Sequence, residues 1–283
     1  MAEPAAPPPE AVRSGVSKTM FAVTVVIVGI VALLAGIGLG NVLYGVRPPR
    51  TTFIVGTNVP FPPFEDFNTT LGEFVGFDID ISRFIAENLS RTMVVRQFSN
   101  FQVLLATVGT GGVDMAASAI TSSGDTGQNR SRYMAFSDSY YDANQGVLVQ
   151  TGSSLTCTSS NCTADNLWNL QVGVQTGTTS EGWLDANKAA NTTKVRFQTV
   201  DAELAALRQG TIDAVIIDYG PALSFANAPG SGLRVAGQII TNELYSFAVP
   251  LGDPDHILPI INSVLRGIKD DGTYDQLIAK WFG

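Results

Sequence analysis

From Thr51 onward the chain alternates short β-rich runs with helix-patterned segments, and then repeats the rhythm. The first round reads TFIVGT, then DIDISRFIAENL with Ile81, Phe84, Ile85 and Leu89 on one helical face, then MVVRQF, FQVLLATVGTG and VDMAAS. The second reads LQVGVQ, a helix opened by TTSEGWL, then KVRFQT, DAELAALRQG and IDAVIID, with Gly210 placed to stop a helix. Alternation of this kind feeds parallel strands whose crossovers are helices, so each round predicts one α/β lobe. Between the rounds lie short extended runs near 146–150 and 245–250. The last two helical patterns, 255–269 and 273–281, have no strands of their own and are expected to return to the first lobe. The expected division is therefore lobe 1 from 51–145 and 246–283, and lobe 2 from 146–245, with hinge strands near 146–150 and 245–250.

Ahead of these blocks, residues 1–19 are rich in Pro and Ala and offer almost nothing to bury, so they read as a disordered cytoplasmic tail. No charged residue stands between Lys18 and Arg47, and Met20 to Leu39 is apolar apart from Thr24 and glycines. Twenty such residues make roughly 30 Å of helix, one bilayer core, and a transmembrane anchor is expected at 20–44. Arg13 and Lys18 face Arg47 and Arg50 across it, so charge alone does not orient the segment. The sequons at Asn68, Asn88, Asn129, Asn161 and Asn191 and both cysteines all follow it, which places the C-terminal domain outside the cytoplasm. In that compartment Cys157 and Cys162 are a possible disulfide closing a small surface loop. No A-x-A follows the apolar run, which favours a retained anchor over a cleaved signal peptide.

Composition removes several functions. With 17 basic against 25 acidic side chains the formal charge is -8, and no basic block offsets it, so no nucleic-acid partner is expected. A single histidine, His256, and two cysteines cannot build the usual zinc sites or support imidazole catalysis with any redundancy. No cofactor is expected.

Four segments carry a resemblance: GTNVPFPPFE with LGEFVGFDIDIS, AFSDSYY, LQVGVQTGTTSE, and GIKDDGTYDQLIAKWF. In this order they are similar to the family 3 amino-acid-binding proteins of ABC importers, over nearly all of Thr51 to Gly283. The resemblance implies a two-lobed periplasmic-binding-protein-like fold (type II), preceded here by one N-terminal transmembrane helix. It further implies a monomer that holds an amino acid between its lobes and delivers it to an ABC permease and its ATPase.

Zwitterion chemistry explains the residue types so implied, because each buried charge needs an opposite one. Arg130, six residues before Phe136, matches the carboxylate-binding arginine, and its guanidinium suits a carboxylate's geometry. The stretch SSGDTGQN before it is about four residues longer than usual, which leaves Arg132 as a competitor. Thr121 matches the hydroxyl position that meets the ammonium, and Ala119 would offer only its carbonyl. Gly177–Thr179 follows a strand and opens a helix, so Thr178 or Thr179 would complete the carboxylate clamp. Asp218, closing DAVIID, matches the ammonium-binding carboxylate, while Asp213 reads as structural. Phe61 and Phe101 match the two aromatic walls, Phe64 and Phe77 read as core, and Trp168, Trp183 and Trp281 as packing.

Asn58 stands where relatives for cationic ligands often place a carboxylate, so a neutral polar amino acid is expected, with glutamine or asparagine foremost. Two other functions share such a fold: an amino-acid sensor subunit, and a prephenate or arogenate dehydratase. No residue is marked as the positioned acid that the enzyme would need, and no enzyme activity is expected.

Overall fold

Phe53 and Val55, alternate residues of β1 (Thr52–Thr57), are fully buried, and the strand lies inside a five-stranded sheet. The computed structural model describes residues 50–157 and 160–283, so the expected tail (1–19) and membrane anchor (20–44) lie outside the described residues. Among the described residues no helix is long and apolar enough to cross a membrane.

On either side of β1 run β4 (Thr92–Gln97) and β5 (Met115–Ala116), both parallel to it, reached through helices α1 (Phe77–Asn88) and α2 (Phe101–Gly109). The right-handed crossover rule makes this the default for a β-α-β-α-β pattern. Gly76 opens α1 at φ 136°, and a Cβ there would stand 2.1 Å from the Phe64 carbonyl oxygen, so no other residue fits. Asn100 caps α2 by accepting the Val103 N–H at 3.1 Å. A two-stranded ribbon, β2 (Asp66–Asn68) with β3 (Glu73–Val75), leads into α1.

The sheet is completed by β12 (Ala248–Pro250) and β6 (Met134–Phe136), so the chain does return to the first lobe at its end. Helices α7 (Leu258–Asp270) and α8 (Thr273–Phe282) follow there, and Ile261, Val264, Leu265 and Ile268 share a core with Phe77, Ile81 and Ile85. Lys280 Nζ and Trp281 Nε1 donate to Asp80 Oδ2 at 2.7 and 2.8 Å, which fastens the end of α8 to α1.

The second sheet runs in the order β11 (Leu233–Tyr245), β7 (Tyr141–Gln150), β10 (Ala214–Asp218), β8 (Gln171–Gln175), β9 (Thr193–Phe197). Its helices are α4 (Thr179–Asn187), α5 (Val200–Gln209), which ends on left-handed Gly210, and α6 (Tyr219–Asn227).

The chain changes lobes inside β7 and β11. Tyr140 and Ala143 belong to the first core, while Val147 and Val149 belong to the second. Opposite them β11 slips register between Ile239 and Glu243, and Asn144 Oδ1 accepts the backbone N–H groups of Thr241 and Asn242 at 2.9 and 3.0 Å. The changeover thus sits near 144 and 241, a few residues before the positions expected, because each extended run is the end of a longer strand. Strand β12 lies wholly within the first sheet.

Among the elements with no counterpart in the pattern reading are the β2–β3 ribbon, β6, α6, and the seven-residue helix α3 (Gly124–Arg130) formed by the extra residues ahead of Arg130. Cys157 and Cys162 are disulfide-bonded, with Cα atoms 4.8 Å apart. Trp168 does not pack as expected: the 3-10 turn Ala164–Leu167 buries Leu167 and leaves Trp168 58% exposed.

Candidate ligand-binding site

Strand ends from both lobes meet around one cavity, with about 450 Å³ of empty space once its open mouth is included. Asn58, Phe61, Phe101, Ala119, Thr121 and Arg130 line it from the first lobe, and Thr178, Thr179 and Asp218 from the second. The nine positions named from the sequence therefore share one cavity. The location follows from topology, because in open α/β sheets the crevice beyond the carboxyl ends of the strands is where backbone and helix starts converge.

Arg130 closes α3 and is 4% exposed. Its Nη1 donates to the Thr121 carbonyl at 2.9 Å and its Nη2 to the Gly177 carbonyl across the cleft at 3.2 Å, while the guanidinium lies 5.4 Å from the Phe101 ring centroid. Burial pulls its pKa down, an effect that Tyr133, Glu243 and Asp218 oppose. A guanidinium stays charged regardless. Arg132, the competitor, is exposed and does not line the cavity.

Asp218 ends β10 and begins α6. Gln145 Nε2 and Tyr245 Oη donate to its two oxygens. Burial, with the Glu243 carboxylate next to it, lifts Asp218 to about 7 against those two donors and Arg130. Gln145 acts as a distributor: its Nε2 also lies 2.7 Å from Glu243 Oε1 and 3.1 Å from Thr179 Oγ1, and its Oε1 accepts from Ser180 Oγ at 2.5 Å. Glu243 Oε2 in turn accepts from Thr121 Oγ1 at 2.6 Å.

At the start of α4 the Thr178 hydroxyl donates to the Gln175 carbonyl at 2.7 Å and accepts the Glu181 N–H at 3.3 Å. Glu181 Oε2 takes the Gly177 N–H at 2.9 Å, so part of the helix's anion-binding capacity is already engaged. Asn58 donates its Nδ2 to the Phe98 carbonyl at 2.7 Å, and its Oδ1 accepts from Gln175 Nε2 at 3.0 Å, a contact between lobes.

The reading from sequence passed over Glu65, Ser118, Gln175, Ser180 and Glu203, which also line the cavity, and Gln145, Glu243 and Tyr245, which hold its charged groups. Glu65 is fully buried and accepts from Ser118 Oγ at 2.7 Å. Burial first, and then Asp78, pushes it well above the ordinary carboxylate range. Its position directly after NVPFPPF was the available signal. Gln145 gave none, since an amide within a strand pattern does not announce that its face turns inward.

The family model for bacterial extracellular solute-binding proteins, family 3, matches residues 53–283. The chain belongs to that family. Among curated relatives, the L-cystine-binding protein TcyJ of Escherichia coli (strain K12) is 28% identical over 260 residues, covering 89% of this chain and 92% of that protein. Among solved structures, an ancestral arginine-binding protein superposes with arginine bound at TM-score 0.72 and 31% identity, over 83% of this chain and all of that one. The same kind of protein bound to glutamine gives 0.74 and 32%, over 83% and 99%. The ancestral amino-acid-binding protein described as a precursor of cyclohexadienyl dehydratase gives 0.69 and 28%, over 82% and 96%. These relatives share the two-lobed fold, and this chain is an amino-acid-binding type of ABC-transporter solute-binding protein.

Proposed function

We propose that residues 51–283 form a receptor that closes on one free amino acid, with Arg130 taking the α-carboxylate and Asp218 the α-ammonium. The observation that carries this reading is the placement of the buried Arg130 guanidinium and the buried Asp218 carboxylate in the same cavity, with aromatic walls at Phe61 and Phe101. Arg130 now holds two carbonyl oxygens and Asp218 two neutral donors, so a zwitterion offers each a stronger, charge-assisted partner. The loaded receptor passes its cargo to an ABC permease, and the apolar stretch at 20–44 tethers it, as a single-pass protein, with the binding domain outside the cytoplasm. Binding without turnover is the role, in keeping with the solute-binding proteins among its relatives.

The expectation of a neutral polar ligand rested on Asn58. That amide is engaged by Phe98 and Gln175, which leaves it one N–H and one lone pair for a ligand. It therefore weighs less on the ligand's charge than its position suggests.

A thermal-shift screen against the twenty L-amino acids tests the reading. At a hundredfold excess over its dissociation constant a ligand adds about 2.7 kcal/mol of stability, and absence of a shift with every amino acid would refute it.

A further inference from the structure

The helix α5 presents Val200, Glu203, Leu204 and Leu207 to the sheet at i, i+3, i+4 and i+7, so a glutamate occupies one place in an apolar stripe. Glu203 is fully buried, and neither carboxylate oxygen has a hydrogen-bond partner among the described residues. Yet it is not sealed in core, because it lines the interlobe cavity together with Ile216, Ile217 and Ser180. Burial alone raises its pKa, with no neighbouring charge contributing, whereas Asp78 and Asp218 act on Glu65, and Arg130 and Asp218 act on one another. Among the charged groups that line the cavity, Glu203 is thus the one with neither a hydrogen bond among the described residues nor a neighbouring charge acting on it.

We propose that Glu203 is a specificity-determining residue that receives a cationic group at the end of the ligand's side chain, so the receptor takes an amino acid of the lysine or arginine type. The inference rests on the receptor reading above. Its charge balance is simple. The lining residues Glu65, Glu203 and Asp218 are acidic and Arg130 alone is basic. A ligand carboxylate satisfies Arg130, and its ammonium satisfies Asp218 with Glu65 beside it. Glu203 is then left for the side chain. An unpaired carboxylate in such a place is costly, and a cation entering from the cavity removes that cost. A neutral amide could donate one hydrogen bond there but would leave the charge unmatched.

Calorimetric titration of the full chain with L-arginine, L-lysine and L-citrulline, the uncharged isostere of arginine, tests this. Arginine or lysine should bind at least roughly tenfold more tightly than citrulline, in line with a charge-assisted bond. Glu203→Gln should lose about 10- to 100-fold for the cationic ligand and markedly less for citrulline, which has no charge to lose a partner. Glu203→Asp should keep the preference in weakened form. Because Gln removes a buried charge, its unliganded melting point should not fall, which separates loss of affinity from loss of fold. Preference of the native protein for citrulline or glutamine, or equal losses for all ligands in Glu203→Gln, would overturn the proposal and leave the receptor standing. If none of the twenty amino acids binds, the receptor reading fails and this inference fails with it.

Discussion

Asp218 is poised rather than fixed in charge, since burial and Glu243 lift it to about 7 while Gln145, Tyr245 and Arg130 pull the other way. A bound ammonium favours the ionised form, so ligand binding should release a proton and weaken as pH falls below about 7, by up to tenfold per unit. Calorimetry in two buffers of different ionisation enthalpy at pH 6 measures that release. The unliganded protein should behave oppositely. Asp218 and Asp78 are both raised to about 7 by burial, so their contribution to stability is full below about pH 4 and is lost as pH rises through 7. The melting point without ligand should therefore be higher at pH 5.5 than at pH 8, and excess ligand should shrink or reverse the difference. Arg130→Ala and Asp218→Ala should each cost roughly 3 to 5 kcal/mol of binding, several hundredfold or more, with little change in fold. Near-native binding by Arg130→Ala would move the carboxylate role elsewhere. Arg130 and Asp218 were named from the sequence because they stand at positions matching the family's motifs, and both line the cavity. Gln145 and Glu243 were not, because they act through contacts separated by 98 residues along the chain.

Helix α8 shows how a terminal element is held. Its own apolar stripe is short, but Asp80 on α1 accepts from Lys280, Trp281 and, through its other oxygen, Arg83 at 2.6 Å, while the Phe282 ring lies 5.2 Å from Phe64 and 5.4 Å from Phe77. Asp80→Ala should lower stability by about 1 to 3 kcal/mol, since it removes the common acceptor of three donors, without altering ligand affinity. Urea denaturation with a parallel titration checks both halves. The disulfide loop is a second local fastening. Closing so few residues restricts the unfolded chain by about 2 kcal/mol, so Cys157→Ser with Cys162→Ser should destabilise the domain by that amount and leave binding intact. Strands and helices with strong periodicity, such as β1, α1 and β10, could be read directly. Helix α3 could not, because GDTGQNR has neither an apolar stripe nor a capping residue that bonds, and it exists because Gly127 and Arg130 are buried against the cleft. Glu203 lay in plain view as a charge within the Val200–Leu207 stripe, but only the cavity behind it gives that charge a meaning.

The two lobes touch through few elements, with β7 and β11 passing between them and Asn144 pinning the irregular stretch of β11. Rotation about that point leaves both cores intact, so ligand should draw the lobes together. Small-angle scattering should record a smaller radius of gyration at saturation, and an unchanged value would count against closure. Among the hydrogen bonds that span the gap are Gln175 to Asn58, Asn100 to Gln198, and Arg130 to the Gly177 carbonyl. Each such bond, at about 1 kcal/mol, multiplies the shut population of the empty receptor by about fivefold. Gln198 does not line the cavity, so Gln198→Ala should open the empty form in the same scattering experiment and leave the loaded form unchanged. A partner that reads only the shut outline hears a false alarm each time the empty receptor closes. Such bonds therefore set the background against which cargo must be heard: they lengthen its stay and, in the same measure, raise the noise.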